Sequence, residues 1–193
     1  MISTHPVVLG SQSPRRQNLL KDLGLEFTIR TTDTEETFPD HLKREEIVEF
    51  IAKQKAELIE SSEEEILITS DTIVWINNHL LGKPTSREHA IKMIGELSNQ
   101  KHEVLTGVCI QKGAEFHVFH DVTEVYFREL NTDEIVYYVD KYKPFDKAGS
   151  YGIQEWIGYV GIEKIEGDFF NVMGLPVYKL YKELIKLDLI RVA

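Results

Sequence analysis

Residues 7–16 read Val-Val-Leu-Gly-Ser-Gln-Ser-Pro-Arg-Arg. The apolar run Val7-Val8-Leu9 ends in Gly10-Ser11, and the pattern Leu19, Leu20, Leu23 follows, closed by Gly24. This is the signature of a buried strand, a tight turn and a helix. Ser13 stands where an N-cap belongs, and Pro14 suits the first helical position. The helix N-terminus aims bare amide N–H groups and a partial positive charge past the end of the strand. Arg15 and Arg16 oppose that dipole, which gains a fold little. An anionic ligand gains much, because guanidinium groups grip phosphate oxygens in pairs. The turn reads as a phosphate site opening an α/β domain, or as a solvated basic pair at a helix start.

Outward from this turn, a short strand is expected over 26–30, an acidic irregular segment over 31–40, and a helix over 43–60. That helix would bury Ile47, Phe50, Ile51 and Leu58 on one face. Ile66 to Thr69 is a continuous apolar run, as in a buried parallel strand. It meets Ser70-Asp71, and strand pattern resumes over Thr72 to Ile76 before the hairpin signal Asn77-Asn78. Thr85-Ser86-Arg87-Glu88 has the form of a capping box, opening a helix with Ala90, Ile91, Ile94 and Leu97 inward. Two long strands, 102–111 and 115–127, flank a Lys112-Gly113 turn. Asn131 to Glu134 caps a helix to about Tyr142. A glycine-rich stretch over 148–152 leads into mixed strand and loop up to Gly167. A last helix after Pro176 carries Val177, Leu180, Tyr181, Leu184 and Leu187. Irregular alternation with antiparallel pairs in mid-chain predicts a mixed-sheet α/β fold.

The 193 residues suffice for one large domain or two small lobes. With 42% hydrophobic and 28% charged residues the chain has the balance of a soluble globular protein. Cys109 is the single cysteine, so no disulfide closes within the chain, which suits a reducing cytosol. No apolar run could span a membrane, and Met1 to Pro6 lacks the pattern of a signal peptide. A net charge of −10 argues against polymeric nucleic acid as a partner. It does not exclude a small nucleotide, because a divalent ion can bridge carboxylates and phosphates.

Several polar residues conflict with their surroundings. Asp71, ending a buried strand, is either a metal ligand or general base, or an Asp bonded to its own turn. Lys55 borders an apolar stripe; the pattern favours a snorkelling side chain over one that meets a buried anion. Lys83, between Gly82 and Pro84, is a fixed cation or an ordinary loop lysine. Asp33, Glu35 and Glu36 could hold Mg²⁺ or be solvated. Gln154 could pair with the edge of a base or sit in a turn. The histidines lack metal-ligand spacing, and neither Gly-x-x-x-x-Gly-Lys-[Ser/Thr] nor Gly-x-Ser-x-Gly occurs. Cys109 reads as core, and so do Phe169, Phe170 and Tyr178.

Taken in register, Ser11-Gln12-Ser13-Pro14-Arg15-Arg16, Asp33-Thr34-Glu35-Glu36, Ala52-Lys53-Gln54-Lys55-Ala56, Ser70-Asp71-Thr72-Ile73-Val74, Gly82-Lys83-Pro84, His102 to Gly107 and Asp146 to Gln154 resemble the Maf family of nucleoside triphosphate pyrophosphatases. The match runs from about Val7 to Pro176, and Ala148 to Gln154 is similar to the branch acting on dTTP and UTP.

The resemblance implies an elongated mixed sheet flanked by helices, similar to the inosine triphosphate pyrophosphatases. It implies one domain over 1–193 with two lobes around a central cleft, and a cytoplasmic homodimer. It assigns catalysis to Asp71 as proton acceptor with Lys55, Lys83 and Glu36. Substrate binding falls to Ser11, Ser13, Arg15, Arg16, Thr72 and Gln154, and Mg²⁺ or Mn²⁺ to Glu36 and Asp71. Glu35 stands where an aspartate is common, which leaves open which neighbouring carboxylate meets the metal. Gly10 replaces a frequent alanine, a change expected to leave the turn undisturbed. The implied reaction cleaves pyrimidine triphosphates (dTTP, UTP, and CTP or modified forms) to monophosphate and pyrophosphate, in nucleotide-pool cleaning or cell-division arrest. The competing readings are a pyrophosphatase for 7-methyl-GTP or ITP on the same scaffold, and a non-catalytic nucleotide-binding regulator of septum formation.

Overall fold

A computed structural model describes residues 1–32 and 37–192. The elements run β1 (Ile2–Ser3), β2 (Val7–Leu9), α1 (Pro14–Asp22), β3 (Phe27–Ile29), α2 (Glu45–Leu58), β4 (Ile66–Ile76), β5 (His79–Leu81), α3 (Arg87–Leu97), β6 (Lys101–Lys112) and β7 (Glu115–Phe127). Then come α4 (Thr132–Tyr142), a 3₁₀ turn (Ala148–Ser150), α5 (Trp156–Gly161), β8 (Ile162–Glu166), α6 (Phe169–Met173), α7 (Val177–Lys186) and β9 (Ile190–Arg191). Seven strands form a mixed sheet in the order β3-β2-β4-β6-β7-β8, with β5 paired to β4, and β1 pairs separately with β9. The expected mixed α/β class is what forms.

The chain divides into two compact units. The first holds Met1–Asp71, Thr106–Asp121 and Gly174–Ala193, and the second Thr72–Leu105 and Val122–Met173. In the first, β2 lies parallel to both β3 and β4. Val8, Ala52, Ala56, Ile59, Leu67 and Cys109 form a core between α2 and the sheet. In the second, β5 returns antiparallel on β4. Its larger core joins α3, α4 and the 3₁₀ turn through Val74, Ile94, Leu97, Phe127, Tyr138 and Tyr151.

Several expectations are corrected. Ser70-Asp71 does not end a strand, because β4 runs unbroken over 11 residues. Its pairing with β2 stops at Ile68 and its pairing with β5 starts at Val74. Asp71 therefore sits in mid-strand, past the end of one neighbour. Helix α2 is shorter than 43–60. Arg44 has a positive φ of 50° and Ile59 is extended, so both ends are sterically set. Its inward face is Ile47, Val48, Ile51, Ala52 and Ala56, while Phe50 and Leu58 are exposed. The cap of α3 is Ser86, whose hydroxyl accepts from the His89 N–H, so no box forms from Thr85 to Glu88. The Asn131–Glu134 box does form, with both reciprocal bonds. Of the apolar residues carried by α7, Leu180 and Leu184 are buried. Phe169, Phe170 and Tyr178 are not core: all three side chains are exposed, Tyr178 at 68%.

Candidate active site

In the first unit the site begins where β2 stops. The Gly10 N–H donates to the Ile68 carbonyl at 2.8 Å, at the end of the β2–β4 register. A Cβ at Gly10 would lie 2.6 Å from Thr69 Cγ2, so this turn is fitted to glycine and alanine would crowd it. Ser13 occupies the N-cap position and Pro14 the first turn, as expected, but the Ser13 side chain makes no cap bond. The Ser11 hydroxyl accepts from the Ser13 N–H at 3.2 Å, which shapes the turn ahead of the helix and leaves the first helical amides without a side-chain cap from Ser13. No acidic residue occupies the first turn of α1, so its positive end stays uncompensated there.

Arg16 is tied into this turn. Its Nε donates to the Gly174 carbonyl at 2.8 Å. Its Nη1 donates to the Ser70 carbonyl at 2.9 Å and reaches the Ser11 hydroxyl at 3.5 Å. One guanidinium thus knits the α1 turn, β4 and the segment before α7. Arg15, one residue earlier, is half-buried on the same turn.

Lys55 reaches the same strand from α2. The helix can approach because of Gly107, where an added Cβ would lie 2.2 Å from the Val48 carbonyl oxygen. The Thr69 hydroxyl donates to the Ala52 carbonyl at 2.6 Å and pins the helix in register. Ala52 is one turn before Lys55, so this seat delivers the ammonium to Asp71: Nζ lies 2.7 Å from Oδ1. The side chains are only 14% and 8% exposed, so Lys55 does not snorkel to solvent but meets a buried anion. The neighbouring Ser70 hydroxyl is buried with no hydrogen-bond partner among the described residues.

Glu36, with Asp33 and Glu35, lies outside the described residues. Among the described residues no group of three His, Cys, Asp or Glu side chains is placed to hold a metal. Asp71 is thus the one carboxylate of the expected metal pair whose position is described. Mg²⁺ suits such a sparse set, since it commonly takes one or two carboxylates and fills the rest with phosphate oxygens and water. Cys109 is buried, and burial pushes its thiol up to about 12, so it is no nucleophile.

In the second unit Thr72 is half-buried on β4 and Lys83 is exposed. The Gly82 carbonyl accepts from the Gly149 N–H at 3.1 Å, which joins the Lys83 loop to the glycine-rich turn. Gly149 needs its left-handed φ of 66°, and a Cβ there would also press on Val74 Cγ2 at 2.9 Å. Next along the turn, Tyr151 OH meets His102 Nε2 at 2.8 Å in the core. Burial holds that imidazole neutral, its pKa pushed down to about 3, and pushes the Tyr151 phenol up. The turn ends at Gln154, whose amide oxygen is buried and has no partner among the described residues. An unpaired buried acceptor suits a donor arriving with a ligand.

Sequence reasoning passed over the residues that seat these groups. Gly107 and Thr69 carried no polar anomaly. Lys147 and Glu155 did: both carry charge beside the apolar stretch 148–153, and they pair at 3.1 Å.

Residues 6–187 match the family described as Maf-like protein. A Bacteroides fragilis protein named dTTP/UTP pyrophosphatase is 51% identical over 186 residues, covering 95% of this chain and 96% of its own. A Flavobacterium johnsoniae protein of the same name is 50% identical over 185 residues, 95% of each chain. Among solved structures, the Staphylococcus aureus Ham1 protein aligns with a TM-score of 0.50 at 15% identity, covering 95% of this chain and 99% of that one. At that identity the likeness speaks for the fold alone. No helix among the described residues is long and apolar enough to cross a membrane.

Proposed function

The chain belongs to the Maf-like protein family, and from that premise we propose that it is a nucleoside triphosphate pyrophosphatase acting on dTTP and UTP. Water attacks between the α and β phosphates, and the products are the nucleoside monophosphate and pyrophosphate. The names of relatives at about half identity over nearly the whole length support this reading. The observation that carries it is the Lys55–Asp71 pair on β4, beside an Arg16 that is anchored to Ser70 and Ser11. A fold alone gains little from burying paired charge next to a helix whose first turn holds no acidic residue.

In the proposed mechanism the α1 amides, Ser11, Ser13, Arg15 and Arg16 bind phosphate oxygens. Arg16 is held in place by Gly174, Ser70 and Ser11 before substrate arrives, so little reorganisation of that group opposes the developing charge. A phosphate oxygen competes for the Lys55 ammonium, which releases Asp71 to orient the attacking water and accept its proton. Asp71 and Glu36 would hold the divalent cation, Mg²⁺ or Mn²⁺, with substrate oxygens and water completing its shell. Bound there, the metal would neutralise leaving-group charge and make a bound water more acidic. Lys83, Thr72 and Gln154 take their roles from their motifs: Lys83 as a further cation, Thr72 and Gln154 in choosing the base. The Gln154 amide can meet the O4 and N3–H edge of uracil or thymine, which offers one acceptor and one donor.

Residues 1–193 act as one Maf-like domain in this reading, in a cytoplasmic homodimer. The single reduced cysteine accords with that compartment. The test is a substrate panel of dTTP, UTP, CTP, 7-methyl-GTP and ITP with Mg²⁺ or Mn²⁺, scored for pyrophosphate against phosphate. Pyrophosphate from dTTP and UTP ahead of the purine nucleotides is expected. Preferred turnover of 7-methyl-GTP or ITP would move the activity to the other substrate class. Tight nucleotide binding without products would make the protein a sensor.

A further inference from the structure

Gln154 sits in a turn closed by the Glu155 N–H donating to the Gly152 carbonyl at 3.0 Å. That turn is held by a buried polar assembly in the second unit. The phenol of Tyr138, a fully buried residue of α4, accepts from the Gly152 N–H at 3.0 Å and donates to Glu155 Oε2. The other carboxylate oxygen, Oε1, takes the Lys147 ammonium at 3.1 Å, and Lys147 also meets Asp146 Oδ1 at 2.8 Å. Lys147 is 8% exposed, so this charge is withdrawn from water. Removing charge from water is costly, and an apolar plug of the same size would stabilise the fold at least as well. A fully paired network of this kind instead limits a segment to one conformation.

Gly152 shows what that conformation serves. Its φ lies outside the left-handed region, so backbone conformation does not require glycine there. Space does: a Cβ would lie 2.9 Å from Gln154 Nε2 and 2.9 Å from Glu155 Cδ. The Gln154 amide nitrogen and the clamped Glu155 carboxyl thus crowd the same face of Gly152, and the Gln154 amide oxygen has no partner among the described residues.

We propose that Glu155, clamped by Tyr138 and Lys147 over Gly152, is a positioning residue for base recognition, holding the Gln154 amide in one orientation toward the pyrimidine edge. The inference rests on the reading that Gln154 contacts the base, and it adds which residues make that contact possible. None of the clamp touches substrate. Its contribution is to remove the freedom that a glutamine side chain would otherwise lose on binding.

The test uses full-length protein and initial rates of pyrophosphate release from UTP. Gly152→Ala places a methyl group against the amide without straining the backbone, and Glu155→Ala removes the clamp. Each is expected to raise KM for UTP about tenfold, the equivalent of one hydrogen bond, with kcat within about twofold. Glu155→Gln, which keeps the acceptor for Tyr138, should recover part of the loss. Gln154→Ala should raise KM as far, and Gly152→Ala added to Gln154→Ala should raise it no further. The same rise in both backgrounds would mean general damage and overturn the positioning role. An unchanged KM in Gly152→Ala beside a raised KM in Gln154→Ala would overturn the clamp while sparing base recognition. An unchanged KM in Gln154→Ala would remove base recognition and the clamp's purpose with it. Should Glu155→Ala fail to fold, Gly152→Ala carries the same test.

Discussion

Lys55 and Asp71 form one ion pair, yet in the proposed mechanism its two charges have separable tasks. A lysine that grips phosphate contributes to substrate and transition state alike. A carboxylate that takes a proton contributes only as the bond to water forms. Losing the first raises KM, and losing the second lowers kcat. Asp71→Asn keeps the shape and an acceptor for Lys55 but cannot take a proton at neutral pH. Its kcat for dTTP is expected to fall about 10²–10⁴-fold, the usual weight of general base catalysis, with KM changed far less. Near-normal kcat at saturating Mn²⁺ would remove Asp71 from that role. In Lys55→Met, KM should rise more than kcat falls, and the reverse pattern would reassign the ammonium to the chemical step.

At the scale of elements, the seat of α2 decides where Lys55 ends up. Gly107 lets the helix backbone touch β6, and Thr69 sets its register through Ala52. Gly107→Ala drives a methyl into the Val48 carbonyl, a backbone atom that cannot turn aside. Overpacking of this kind costs about 1–3 kcal/mol or more, which for a chain of this size lowers Tm by roughly 2–12 °C. The same displacement should weaken the 2.7 Å contact between Lys55 and Asp71, so KM for dTTP rises even well below the melting range. Unchanged Tm and KM would mean that β6 yields at no cost. This seat also marks where reading the sequence stopped. The β2–α1 turn is legible because Gly10, Ser11, Pro14 and two arginines break ordinary patterns within seven residues. A hydrophobic pattern misplaces the inward face of α2 because close approach selects Ala52 and Ala56, small residues that weigh little in it. Phe50 and Leu58 weigh more and point outward. The continuity of β4 was hidden by Ser70-Asp71, whose polarity suits a ligand rather than a turn. Lys55 looked like a snorkelling side chain because its partner lies on another element.

For the whole molecule, His102 couples stability to pH. It is 1% exposed, bonded to Tyr151 and edge-on to Phe127, and burial alone lowers its pKa to about 3. In the unfolded chain the same imidazole titrates near 6.5. Between those two values the unfolded state holds one proton more than the folded state. Acid therefore pulls the equilibrium toward unfolding. The stability that rests on a neutral His102 is fully present above pH 6.5 and drains away as pH falls toward 3, at up to about 1.4 kcal/mol per pH unit. Carboxylates held low by their cations, such as Glu65 beside Arg30 at about 2, lose their contribution as pH falls from the ordinary carboxylate range toward that value. The interval from pH 6.5 to 5 thus separates the histidine from the acids. His102→Gln keeps a polar partner for Tyr151 but has no proton to gain. Urea unfolding at pH 6.5 and pH 5 should show the native protein losing about 1.5 kcal/mol more than the variant across that interval. Parallel losses would mean that the folded protein accepts the proton after all, through water reaching the Nδ1 atom that now lacks a partner among the described residues. Because His102 stays neutral in the folded protein over that interval, the turn that carries Tyr151 and Gln154 keeps its geometry, and KM for UTP should follow the same pH course in the native protein and in His102→Gln while their stabilities diverge.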